Sequence, residues 1–165
     1  MFISLDEFKE EWLQEAALTQ KVMDALTDES LGQEVAPDHT NLGKLAWHIT
    51  GAVHFLFAQI GLTFPSAVSG PDHPASAKSI AEAYRQDSHA VPEAVQGQWT
   101  NETLQNTCNV FGQKMPIHAF LRFIIQHQAH HRGQMTILMR QAGLKVPGVY
   151  GPSREELQAI QAAKG

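Results

Sequence analysis

From Pro116 to Leu144 apolar side chains recur at intervals of three and four, with no proline inside the run and Gly143 near its end. A period of this kind sustained for so long describes an amphipathic α-helix, and Pro116 suits the first turn of one. A helix with one apolar stripe must bury it against other elements, so the rest of the chain has to supply partners of similar length. Leu5 to Leu26 repeats the pattern through Phe8, Trp12, Ala16, Thr19, Val22 and Met23, with Ser4 and Glu7 spaced as a capping box. A second helix is expected from an Asp38 cap to about Ile60, ended by Gly61. A third fits Ala77 to about Gln96, with Pro92 expected to kink or shorten it. Residues 99–115 show no helical period and read as a loop or short hairpin. After Gly143 a turn leads to a short helix capped by Ser153, with Glu155 and Glu156 in its first turn.

Four long helices and little else predict an all-α fold, a four-helix bundle with a short C-terminal helix. At 165 residues and 43% hydrophobic content, the chain is expected to form a single helical-bundle domain over 1–165. No run approaches the roughly 18 apolar residues of a membrane span, and the start lacks the pattern of a signal peptide, so a cytoplasmic protein with no membrane partner is expected. A formal charge of −5 with 12 unclustered Lys and Arg argues against nucleic acid. The single cysteine, Cys108, excludes an intrachain disulfide and any cysteine-rich zinc site, which leaves histidine and carboxylate as metal ligands.

Histidine is the abundant candidate, at 39, 48, 54, 73, 89, 118, 127, 130 and 131. Three of these crowd into HQAHHRGQM, residues 127–135. With Ile124 at the centre of the last long helix's apolar stripe and about 100° per residue, His131 falls about 20° and His127 about 60° away, whereas His130 falls about 120° away. His127 and His131 therefore share a face that leans into the bundle, one turn apart, as two imidazoles holding one ion must. His130 belongs to the rim. The residue after His127 is Gln128 and not the glutamate of a metallopeptidase helix, which argues against that chemistry. A pair alone is a weak signal, because a histidine beside an apolar stripe is commonly a hydrogen-bonded boundary residue. On the second helix His48 lies at the edge of the stripe formed by Leu42, Leu45, Ala52, Leu56 and Ile60, and His54 lies nearly opposite. His39 and His118 stand near helix starts, where exposure or capping is expected, and His73 and His89 have no partner nearby in sequence. Three histidines from two helices would leave coordination positions open, and imidazoles suit Zn, Ni, Fe, Co or Cu.

With LAWHITG in the second helix and HQAHHRGQM in the fourth, the chain resembles the DinB/YfiT-like family of metal-binding four-helix bundles over nearly its whole length. The signature H-x-x-x-H-R-G-Q corresponds to His127, His131, Arg132, Gly133 and Gln134. The resemblance implies metal ligation by His48, His127 and His131, a divalent ion (Zn, Ni or Fe foremost) in a pocket at one end, a homodimer, and a stress-associated role. Some relatives are transferases or isomerases that use thiols such as bacillithiol or mycothiol. It implies an enzyme that transfers a low-molecular-weight thiol to a small electrophile. A metal-dependent hydrolase and a non-enzymatic metal-binding protein are the competing readings. Cys108, with no His or Lys beside it, is not expected to be the nucleophile. Large apolar residues at Leu5, Phe8, Trp12, Phe55 and Phe57 exceed what one seam needs, so some are expected to bury in a subunit contact.

Overall fold

The computed structural model describes residues 2–163. Its long helices are α1 (Leu5–Asp24), α2 (Leu42–Ala58), α3 (Ala77–Gln98) and α4 (Ile117–Gln141), followed by the short α5 (Arg154–Ala162). Between α3 and α4 a two-stranded antiparallel hairpin joins β1 (Thr107–Val110) to β2 (Gln113–Pro116). Helices α1 and α2 each pack against both α3 and α4, so the order around the bundle is α1, α3, α2, α4. Across its centre the Trp12 and Phe57 rings meet edge to face, with centroids 5.1 Å apart, and Phe8 packs on both.

The first-helix aromatics therefore belong to the core. Phe8, Trp12 and Phe57 are fully buried and Leu5 nearly so, so the surplus expected to serve a subunit contact is used within the chain. Burial of each such side chain contributes about 1.5–3 kcal/mol. Of the set, only Phe55 is exposed.

Local chemistry explains where the helices depart from expectation. The Asn41 side chain, and not Asp38, caps α2, accepting the Lys44 N–H at 2.8 Å. Asp38 instead adopts a left-handed backbone in a tight turn, closed by the bridge between Glu34 and Asn41. Pro92 does not shorten α3, which continues to Gln98. Proline cannot donate to the carbonyl four residues earlier. That carbonyl, on Ser88, accepts the Trp12 indole N–H at 2.9 Å, so the group is satisfied from α1.

At the start of α1 the Ser4 hydroxyl accepts the Glu7 N–H, but Glu7 reaches back to Ile3 N rather than Ser4 N, so the box is half formed. Pro116 precedes α4 as its cap instead of entering the first turn. The end of α4 is a Schellman motif. Gly143 takes φ 77°, its N–H donates to Arg140 O, and Leu144 N–H donates to Met139 O.

Candidate metal centre

The α2–α4 contact brings His48 beside His127 and His131. His48 Nε2 lies 3.3 Å from His127 Nε2 and 3.2 Å from His131 Nε2, and ligating atoms of all three fall within 4.8 Å of one another. Tetrahedral coordination with metal–nitrogen bonds of about 2.0–2.1 Å sets neighbouring nitrogens about 3.3–3.4 Å apart. The spacing of the triad fits a divalent ion, and the three residues could hold one.

Their protonation agrees with that use. Burial, followed by the neighbouring imidazoles, pushes His127 down to about 4. Burial and the proximity of His131 lower His48, and burial with His130 lowers His131 against an opposing hydrogen bond from Gln134. Neutral imidazoles keep a lone pair for an ion. His131 Nδ1–H donates to Gln134 Oε1 at 2.7 Å, which leaves its Nε2 lone pair aimed at the other two rings. Gln134 Nε2 in turn donates to His130 Nε2 at 3.1 Å. His127 Nδ1, by contrast, is buried without a hydrogen-bond partner among the described residues.

The other histidines stay out of the cluster. His130 is exposed beside it, and His54 packs edge-on against Phe64. His118, expected to be exposed or capping, is buried. His73 lies against α2 at Gly43, where a Cβ would come within 2.7 Å of its ring. Cys108 is buried in β1, its thiol donates to Met115 O, and burial raises its pKa.

The triad sits less deeply than its helical angles imply. His127 and His131 are half-buried and His48 is exposed, so they border a groove between α2 and α4 and do not enter the core. The buried stripe of α4 is turned away from them, because Gln128 and Arg132 occupy it at 2% and 1% exposure. Arg132 forms an ion pair with Glu15 at 2.7 Å, and also donates to Thr19 Oγ1 and Glu15 O. The Tyr150 hydroxyl donates to the same Glu15 carboxylate at 2.8 Å, and the Tyr84 hydroxyl donates to Gln128 Oε1 at 2.7 Å. This network holds a side of α4 turned about 100° from the triad. Sequence reasoning overlooked it, although Gln128 and Arg132 stand four apart and within about 40° and 80° of the stripe's centre.

The groove widens into a cavity of about 700 Å³ lined by His48 and His127 together with Trp47, Phe55, Phe111 and Phe123. No helix among the described residues is long and apolar enough to cross a membrane.

YrdA of Bacillus subtilis (strain 168) is 49% identical over 156 residues, spanning 94% of this chain and 93% of that protein. The crystal structure of a DinB-like protein from Bacillus cereus ATCC 10987 superposes with a TM-score of 0.87 at 48% identity, covering 91% of this chain and all of that one. A DinB-like protein of Bacillus subtilis, YjoA, shares the fold at 18% identity and a TM-score of 0.67, covering 90% of this chain and 99% of its own. The family model described as DinB family matches residues 1–164, and the chain belongs to that family.

Proposed function

We propose that His48, His127 and His131 hold a divalent zinc, nickel or iron ion and that the protein transfers a low-molecular-weight thiol to a small electrophile. The observation that carries this reading is the convergence of three neutral Nε2 atoms on a groove that opens into a cavity. A bound divalent ion would add the positive charge that favours a thiolate over a thiol at neutral pH. The chain's own part is to present the three lone pairs, to fix the tautomer of His131 through Gln134, and to shield the reacting sulfur from water with Trp47, Phe55 and Phe123. In the reaction a sulfur–carbon bond forms and the thiol gives up its proton: a haloalkane releases halide with the bonding pair, whereas an epoxide opens to an alkoxide, or an activated alkene takes its π pair as a carbanion, and that anion gains a proton.

Hydrolysis through an activated water has less support, since no carboxylate joins the three histidines that could hold an ion, and Asp72 belongs to the wall of the adjoining cavity and not to that cluster. Buried Cys108, its thiol hydrogen-bonded and its pKa raised, is a poor nucleophile, which favours an exogenous thiol.

The test is a screen of small thiols against haloalkanes, epoxides and activated alkenes with metal-loaded protein. Turnover should require metal, vanish in His127→Ala and persist in Cys108→Ser. Loss of turnover in a folded, metal-loaded Cys108→Ser would refute the exogenous thiol. Tight metal binding with no turnover for any pair would favour the non-enzymatic reading.

A further inference from the structure

The tip of the hairpin is built against local preference. With Val110 paired to Gln113, the turn has two residues, Phe111 and Gly112, at φ 52° and 79°. Both positive values define a type I′ turn, whose first position favours asparagine, aspartate or glycine. Phenylalanine there accepts backbone strain, and its ring gains little burial in return, being 66% exposed. Neither the turn nor the core accounts for it.

What the ring does face is the cavity beside His48 and His127. Two more poorly buried phenylalanines line the same space, Phe55 on α2 at 53% and Phe123 on α4 at 39% exposure. They come from three separate elements, so no single amphipathic stripe brings them together. The opposite wall is fixed in place. Trp47 donates its indole N–H to Gly70 O, and His73 packs on Gly43, docking the segment after α2 onto that helix.

We infer that this cavity is the binding site for a small molecule with an apolar body, an alkyl or aryl group, and that Phe111 is a specificity-determining wall of it. A cavity of about 700 Å³ lies within the roughly 300–1,000 Å³ usual for small-molecule sites, and its aromatic walls match an apolar group. A ligand so placed has one end at His48 and His127. The substrate class deepens the proposed thiol transfer and rests on that reading only for the end that meets the triad. The apolar body is recognised by the walls alone.

The test uses two probes. Cobalt(II)-loaded protein is titrated with acetohydroxamate and octanohydroxamate, which share a metal-binding head and differ in the chain. Metal-free protein is titrated with the neutral fluorophore N-phenyl-1-naphthylamine. Octanohydroxamate should bind at least about tenfold tighter than acetohydroxamate, well below the ceiling of about fourfold for each buried methylene. That advantage should shrink to less than about threefold in Phe111→Asn and in Phe123→Ser, with parallel loss of the fluorophore. Asparagine suits the left-handed position, so Phe111→Asn should unfold no earlier than the wild type, which separates recognition from folding.

Equal affinity for the two hydroxamates would overturn the proposal, as would an advantage that survives both substitutions. So would a dimer whose partner covers Phe111 and excludes the fluorophore. If cobalt fails to load while the fluorophore still binds in a Phe111-dependent way, the cavity assignment stands and the metal reading falls.

Discussion

His131 Nδ1 donates to Gln134 Oε1 across 2.7 Å, and among the described residues no comparable bond orients His127. A ligating imidazole whose second nitrogen is held this way presents one tautomer and one ring orientation to the ion. Gln134→Leu, which keeps the bulk and removes the acceptor, should weaken metal affinity about 10–100-fold, while Gln134→Glu should retain or tighten it. Chelator competition measures both. Equal affinity in Gln134→Leu and the wild type would mean that packing alone holds His131.

The triad predicts a selective pattern of metal loss. Alanine at His48, His127 or His131 should each lower occupancy, because each supplies one of the converging nitrogens. His54→Ala and His130→Ala should leave it near normal, since one ring lies against Phe64 and the other, packed edge to face on His131, supplies none of the converging nitrogens. Elemental analysis of the purified variants decides. A His130 variant lacking metal beside a His127 variant retaining it would reverse the assignment of faces.

The triad was legible because two histidines on one helix face leave a local trace. His127 and His131 stand one turn apart, and His48 lies at the edge of its own helix's apolar stripe, where LAWHITG also carries the family resemblance. The aromatic core and four helices were equally visible in the apolar period. Three features depend on particular contacts that periodicity does not carry. Pro92 is tolerated because Trp12, on another helix, takes up the Ser88 carbonyl. Asn41 rather than Asp38 caps α2 because backbone pairing at Glu34 places the turn. Gln128 and Arg132 sit at core positions because Tyr84 and Glu15 satisfy them, and without those partners a polar residue reads as solvent-facing.

That last pairing sets a stability prediction. Arg132 is almost completely buried, and Glu15 supplies its only carboxylate partner among the described residues. Glu15→Ala should destabilise the fold by about 3–5 kcal/mol, because it strands a buried guanidinium. The double variant Glu15→Leu, Arg132→Met should recover most of the loss, since it removes both charges and fills the space. Denaturant unfolding of the three proteins tests this, and a single variant within about 1 kcal/mol of the wild type would show that the pair is hydrated.

The attachment of α5 should respond to pH in a defined direction. This helix has no buried residue, and Arg140 grips Glu155 with two bonds of 2.6 and 2.7 Å. Hydrogen bonding from Arg140 holds Glu155 at about 2, below its ordinary 4.5. Because the docked carboxylate binds its proton less readily than the released one, the tether is at full strength above pH 4.5 and weakens as pH falls toward 2. Amide hydrogen exchange should therefore show α5 losing protection over that interval. Glu155→Gln should loosen α5 already at neutral pH and leave α1–α4 protected, because those helices draw on the shared core and α5 does not. Unchanged α5 protection in Glu155→Gln would transfer the anchoring role to Glu156, which accepts the Gly148 and Ser153 N–H groups at 2.9 Å.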